Sequence, residues 1–393
     1  MIPRLRGPLT RTLAALALPL ATLFVTLFAP QSLPAAPPAN TASAPPAARV
    51  ADCPPVPQPP TDAQIQAGQR AARDRGFLWR ISKHGRNSYL YGTIHVGKLD
   101  WAFPGPRVRE ALLGAQALAL ELDLTDEATL RQLALSMGPG AGDARVNLPP
   151  AMQQRLKRQT EAACLPPGVL AGQHPVMQAI TLTVLAARHE GLDPAFAQEL
   201  VLGGVARALD KPIVALESAE QQAALLVPTD AKQALAMTEQ TLAQLERGAS
   251  RRALVRVAGA WEQGDFELLS HYEQWCDCID NDEDRAFLRR LNDERNGPMA
   301  ARIDALHTAG RTVFAAVGSL HMTGPQGLPQ LMEKLGYAVE RVPFASASMA
   351  AAVAVPPSPA ASAPAPAPAP DAAPKPAPAP ASAPTSSPTA KAD

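Results

Sequence analysis

Apolar positions along this chain change their period several times, and the changes mark out its elements. Phe77 to Ile81 and Tyr89 to Ile94 are short β-prone runs flanking Lys83-His84-Gly85-Arg86-Asn87. Two such runs around a turn holding Gly and Asn predict a hairpin. Residues 106–116 predict a helix and 117–122 a buried strand. Helices are predicted over 127–137 and 151–164, and a long helical region over 176–209 with a break near Gly191. Residues 212–216 predict a strand, and 231–270 helix in two or three pieces. Residues 282–295 predict a helix with Phe287, Leu288 and Leu291 on one face. Asn296-Gly297-Pro298 predicts a break, after which 299–306 resumes the helix. A strand over 312–317, a helix over 326–335 and a strand over 337–342 complete the pattern.

The strands cluster toward the two ends of this region and the middle is nearly all helix. That order predicts an α/β fold: a central sheet built from N- and C-terminal halves, with a largely helical insertion. The flanks behave differently. Arg4, Arg6 and Arg11, then the apolar run Leu13 to Phe28, then small residues around Leu33-Pro34-Ala35-Ala36, follow the order of a secretory signal. The run is short for a membrane span, which needs about 20 apolar residues. The expected organisation is a signal peptide over 1–36, a Pro/Ala-rich linker over 37–70, one folded domain over 71–343 and an Ala/Pro-rich disordered tail over 344–393. The tail is too poor in apolar residues to offset the entropy of ordering it.

Charge narrows the function. Thirty-six basic and 36 acidic residues cancel, which argues against a sequence-independent nucleic-acid binder. That balance says little about peptides or small molecules, which stay the expected substrates of an exported chain, in the periplasm above all, with secretion or a membrane anchor through an uncleaved signal as the alternatives. Four cysteines, Cys53, Cys164, Cys276 and Cys278, suit an oxidising compartment. A bridge between Cys276 and Cys278 would be strained. The expected pattern therefore sends one of them to Cys53 and the other to Cys164, with a Cys-x-Cys metal site as the rival reading.

Of the seven histidines, His84 falls in the hairpin turn, His174 precedes Pro175 at a helix start, and His189, His271 and His307 fall on helix faces read as polar. His95 and His321 differ. Each follows a β-prone run and a glycine three residues earlier, in Gly92-Thr93-Ile94-His95 and Gly318-Ser319-Leu320-His321. Glycine lets the chain leave a strand by unusual dihedrals and lets other groups come close. A histidine at the carboxyl end of a strand stands where open α/β sheets bind ligands, as a general base or a metal ligand. Glu121 follows an apolar strand, where an acid is costly to bury unless it is paired or ligating. Glu217 repeats that pattern after Ile213-Val214-Ala215-Leu216, and Arg295 could hold an anionic group. Asp123 reads as the start of a loop.

Leu78-Trp79-Arg80-Ile81, Tyr91-Gly92-Thr93-Ile94-His95-Val96-Gly97, Leu120-Glu121-Leu122-Asp123, Lys211 to Glu217, Glu294-Arg295-Asn296 with Met299-Ala300, and Val317 to His321 through Gly336-Tyr337 together resemble the TraB/GumN family, which includes the animal Tiki proteases. The resemblance implies a fold akin to erythromycin esterase and the haem-binding ChaN proteins. It implies a metal-dependent protease, with manganese or cobalt, in which His95, His321 and Glu121 form the metal or catalytic set and Glu217 and Arg295 support it. The family's helix is continuous through the Arg-Asn-x-x-Met stretch, whereas Gly297-Pro298 here predicts a kink. Metal-assisted peptide hydrolysis is the leading expectation. The alternatives are a metal-independent ester or lactone hydrolase and a non-enzymatic haem- or metal-binding periplasmic protein.

Overall fold

The structure, a computed structural model, describes residues 53–141 and 146–344. The signal-like segment, the linker ahead of Cys53 and the tail from residue 345 lie outside the described residues. Strands β1 (Phe77–Lys83) and β2 (Arg86–Thr93) form the expected hairpin, with Phe77 opposite Gly92 and Lys83 opposite Arg86. Its turn residues, His84 (φ 53°) and Gly85 (φ 70°), both adopt the left-handed conformation that a two-residue hairpin demands.

The hairpin is one side of a six-stranded sheet of order β4-β3-β5-β2-β1-β6, completed by β3 (Ala117–Leu120), β4 (Ile213–Ala215), β5 (Val313–Gly318) and β6 (Ala338–Val342). β4, β3, β5 and β2 are mutually parallel, so their carboxyl ends meet at one edge. β1 runs antiparallel to both of its neighbours. β3 is buried along its whole length and β5 up to Val317, as parallel strands covered on both faces must be. Their small side chains, Ala117, Ala119, Ala315 and Ala316, belong to the main core with Phe77, Phe314 and Trp261.

Most helices fill the expected places; the first of them and the one that follows β4 were not predicted. α1 (Asp62–Arg70) lies within the stretch read as linker; Thr61 and Gln64 cap it reciprocally and Ile65 is buried. α2 (Pro106–Gly114) precedes β3. Between β3 and β4 come α3 (Glu127–Ser136), α4 (Pro150–Ala162), α5 (Pro175–Leu185) and α6 (Gln198–Ala208). The break between α5 and α6 is wider than Gly191 alone predicts, because Pro194 starts a second short turn after Gly191 takes φ 76°. Between β4 and β5 come α7 (Ala219–Leu226), α8 (Ala231–Glu246), α9 (Ala249–Gln263), α10 (Phe266–Ser270), α11 (Tyr272–Trp275), α12 (Asp282–Leu291) and α13 (Asp293–Thr308), and α14 (Leu328–Lys334) precedes β6. The insertion has an apolar cluster of its own, with Met152, Leu156, Leu170, Leu182 and Leu242. Among the described residues no helix is long and apolar enough to cross a membrane.

Two expectations are corrected. The break predicted at Asn296-Gly297-Pro298 falls at Asn292 (φ −117°, ψ −71°), and α13 runs through Pro298. Pro298 stands early in the helix, so the carbonyl its ring must avoid is that of Glu294, in the first turn. Arg295 therefore sits on regular helix. The cysteines also pair differently: Cys53 with Cys164 and Cys276 with Cys278. Cys164 turns to φ 56° just past α4 and meets Cys53 at a Cα separation of 5.8 Å. Beyond α11 the extended backbone at Cys276 brings its Cα within 5.0 Å of that of Cys278, inside the range a disulfide spans.

Candidate active site

The parallel strands carry four of the five expected site residues to one edge. His95 follows β2, Glu121 follows β3, Glu217 follows β4 and His321 follows β5. Backbone pairing continues past the strands: Leu216 N–H donates to the Leu120 carbonyl at 2.7 Å and Glu217 N–H to the Glu121 carbonyl at 3.1 Å. Arg295 arrives from the first turn of α13.

The glycines of the two Gly-x-x-His motifs serve close approach rather than unusual dihedrals. Neither has a positive φ; Gly318 lies at φ −49°, ψ 140°. A Cβ on Gly92 would come 2.9 Å from Ser319 Oγ and 3.3 Å from the Phe77 ring. Ser319 Oγ uses that space to donate to the Thr93 carbonyl at 2.7 Å, which locks the two motifs together. A Cβ on Gly318 would come 3.4 Å from Glu121 Oε1, 3.5 Å from His321 Cδ2 and 3.8 Å from His95 Nε2. The two histidines and the carboxylate thus surround one small cradle.

Each imidazole is oriented by a partner at Nδ1. Asn296 donates its amide to the Gln326 carbonyl at 2.9 Å, which turns its Oδ1 to His321 Nδ1 at 2.7 Å. His321 Nδ1 therefore carries the hydrogen, and Nε2 is the acceptor facing Arg295 Nη1 at 3.2 Å and Glu121 Oε1 at 3.8 Å. Burial pushes the His321 pKa down to about 4, so the ring is neutral at neutral pH. His95 Nδ1 lies 3.1 Å from Glu199 Oε1, on the first turn of α6. The Glu199 carboxylate raises the His95 pKa. The His95 side chain is 65% exposed against 4% for His321, so solvent reaches the cradle from the His95 side.

Arg295 ties the acids together. It donates to Glu121 Oε2 at 2.5 Å, from Nε to Glu217 Oε1 at 2.9 Å, and again from Nη2 to Glu217 Oε2. Its Nη1 donates to the Leu291 carbonyl at 2.8 Å. Burial opposes the Arg295 charge, but the Glu217 and Glu121 carboxylates outweigh it and raise its pKa. Burial alone would raise the Glu121 pKa; the His321 ring, Arg295, His95 and the Gly318 N–H, donating at 2.8 Å, hold it down at about 2. With His321 neutral at neutral pH, Arg295 is the charge that matters most to Glu121. Gln222 Nε2 bridges Glu121 and Glu217 at 3.3 and 3.1 Å.

His95, His321 and Glu121 are donors of the types a divalent ion uses, and His95 Nε2, His321 Cδ2 and Glu121 Oε1 border the cradle. Their arrangement does not close a metal cage. Among the described residues no three His, Cys, Asp or Glu side chains are placed to hold an ion. His321 Nε2 and Glu121 Oε2 are both engaged by Arg295.

The remaining histidines divide. His84, His189 and His271 are exposed. His174 caps α5, accepting from Val176 N–H at 3.3 Å. His307, expected on a polar face, is fully buried, with Ser88 Oγ at 2.8 Å and the Lys83 carbonyl at 2.9 Å. Met299, Ile303 and His307 are spaced four apart on the buried face of α13, a period that was visible in the sequence. Asp123 starts a turn, bonded to Thr125 and Arg207. Sequence reading missed Glu199, Asn296, Gln222 and Ser319. Glu199 had a signal, an acid beside the apolar run Leu200-Val201-Leu202.

Comparison with known proteins agrees with the motif reading. The chain is 27% identical over 314 residues to metalloprotease TIKI1 of Danio rerio, covering 68% of this chain and 63% of that protein. It is 26% identical over 253 residues to the uncharacterized protein YbaP of Escherichia coli strain K12, covering 63% of this chain and 88% of that protein. Human metalloprotease TIKI1 is 26% identical over 335 residues, covering 72% and 65%. The chain thus spans under two thirds of the length of the TIKI1 relatives and most of YbaP. No solved structure matches it. The TraB/PrgY/gumN family matches residues 77–341, from the first residue of β1 to the penultimate residue of β6, and the chain belongs to that family.

Proposed function

We propose that this chain is a hydrolase that cleaves peptide bonds at the carboxyl edge of its sheet. The observation that carries the reading is the convergence of His95, Glu121 and His321 on the space at Gly318, with Arg295 bound to the same carboxylate. The metalloprotease names of the relatives support the type of bond.

The two histidines have opposite charge preferences, and that separates their roles. His321 is neutral and acts as general base: its Nε2, once Arg295 Nη1 gives up its 3.2 Å contact, accepts a proton from water. Glu121, 3.8 Å away and ionised, stabilises the imidazolium that forms. His95, biased toward its charged form by Glu199 and open to solvent, gives a proton to the leaving amine. Arg295, itself gripped by Glu217, holds Glu121 in place and ionised. Export is part of the same proposal, supported by the order of charge, apolar run and small residues in 1–36 and by two disulfides.

A second reading, hydrolysis assisted by manganese or cobalt at His95, His321 and Glu121, is favoured by one observation. Both imidazoles are held at Nδ1 by a side-chain oxygen, Glu199 for His95 and Asn296 for His321, the way ligating histidines are oriented. An ion there would lower the pKa of bound water and polarise the carbonyl. Elemental analysis of the purified chain beside His95→Ala, with peptide cleavage measured before and after exhaustive chelation, separates the two. Cleavage that survives chelation supports the first reading. A stoichiometric ion lost in His95→Ala, with cleavage lost on chelation, selects the second. Cleavage undiminished in His95→Ala and His321→Ala overturns both.

A further inference from the structure

Outside the carboxyl edge, one group of side chains has chemistry that the proposed hydrolysis does not use: the Cys276–Cys278 disulfide and what surrounds it. As a staple it does little. A disulfide stabilises mainly by removing loop entropy from the unfolded chain, and more for longer loops. Cys53–Cys164 spans a sequence separation of 111, whereas Cys276–Cys278 spans 2 and encloses Asp277 alone.

The two sulfurs are not equivalent. Cys276 is buried, at 7% exposure, while Cys278 is half-buried. Tyr272 Oη lies 3.2 Å from Cys278 Sγ and 3.3 Å from Cys276 Sγ. Bonded to each other, the sulfurs carry no hydrogen, so the phenol is the donor to both. Burial and the nearby Asp277 push the Tyr272 pKa up to about 12, which keeps that hydrogen in place. The arginines of α9 lie beside this segment. Arg247, just past α8, donates to the Asp277 carbonyl at 2.9 Å, and Arg252 Nε to the Asp277 carboxylate at 2.9 Å. Arg252 also lines a cleft of about 390 Å³ with Arg251 and Arg256, and Arg256 stacks 4.3 Å above the Trp275 ring. The Tyr272 hydroxyl is a hydrogen-bond donor within reach of either sulfur and favours a thiolate there. In the cleft, which Glu190 also lines, Arg251 is paired with Glu190 and Arg252 with Asp277, whereas Arg256 pairs with no acid among the described residues and can meet an incoming carboxylate.

We propose that Cys276–Cys278 is a thiol–disulfide exchange site for small thiols that carry carboxylates. The incoming thiolate attacks the accessible Cys278 sulfur, and its lone pair forms the new S–S bond. The Cys276–Cys278 bond breaks, and Cys276 leaves with the electron pair as a thiolate that accepts the Tyr272 hydrogen bond. A second thiolate attacks the sulfur of the bound thiol and releases Cys278. The balance is two thiols and one protein disulfide giving one small disulfide and one protein dithiol. Run in reverse, the dithiol reduces a small disulfide.

The test uses the full chain in buffers of graded reduced-to-oxidised glutathione ratio, followed by alkylation of open thiols and mass analysis of the peptides. The expected result is that Cys276 and Cys278 open together at ratios that leave Cys53–Cys164 closed. Cys276→Ser should carry one glutathione on Cys278. Tyr272→Phe should need a roughly tenfold more reducing ratio, the size expected for one hydrogen bond to a charged group. Arg256→Gln should slow the reaction with glutathione while leaving that with uncharged mercaptoethanol unchanged. A Cys276–Cys278 bridge that stays closed until Cys53–Cys164 opens would overturn the proposal. So would a midpoint indifferent to Tyr272→Phe.

Discussion

Replacing Arg295 with methionine tests the electrostatics of the site most sharply. The Arg295, Glu121 and Glu217 side chains are 10%, 9% and 8% exposed, so water can do little to solvate whatever charge is left. The substitution keeps much of the buried volume but removes the cation from two adjacent carboxylates. Breaking a buried pair by deleting one partner costs about 3–5 kcal/mol. For a domain of this size that is a fall in Tm of roughly 10 °C at pH 7. The sign with pH is also fixed. In the wild type the Glu121 pKa is about 2, below its ordinary 4.5. Its stabilising contribution is therefore whole above pH 4.5 and lost only as pH falls toward 2. In Arg295→Met the same buried carboxyl has lost its cation, so its pKa rises and it regains stability by taking up a proton as pH falls. The gap between variant and wild type should narrow from pH 7 to pH 5, measured by urea unfolding at both. Arg295→Met/Glu217→Gln should be more stable at pH 7 than Arg295→Met alone. A deficit under about 1 kcal/mol at both pH values would refute the view of Arg295 as the buried counter-charge.

Three further outcomes are expected. Gly318→Ala places a methyl within 3.4–3.8 Å of Glu121, His321 and His95 at dihedrals alanine tolerates; hydrolysis should fall about 100-fold with little change in urea midpoint, and full activity would show that the cradle is not where substrate reacts. Glu199→Gln should move the His95 titration, followed by NMR, down toward the ordinary imidazole value, because Glu199 is the charge that raises it; an unmoved titration would remove Glu199 from the site. Cys164→Ser opens the bridge to Cys53 and should cost about 2–5 kcal/mol in urea unfolding.

Much of the site was legible because its residues punctuate strands. His95, Glu121, Glu217 and His321 each follow a β-prone run, and a parallel sheet brings such positions to one edge. Arg295 was legible as a candidate but not its aim, because Gly297-Pro298 weakens a helix locally while packing of Met299, Ala300 and Ile303 holds it. Local propensity lost to tertiary burial there. Glu199 and Asn296 sit far in sequence from the histidines they touch, and Gln222, five residues past Glu217, shows its bridge to Glu121 only in the fold. The capping box at Ser218, which starts α7, was readable and unused. The disulfide partners depend on where the segment after α11 lies, which no spacing encodes.

The most direct measurement is cleavage of a peptide library, read by mass spectrometry, by the purified full chain and by His95→Ala and His321→Ala variants of unchanged urea midpoint. The result expected is cleavage by the wild type that falls at least about 100-fold in each variant, the range of a lost general acid or base. Equal cleavage by all three would contradict the assignment of hydrolysis to the two Gly-x-x-His motifs.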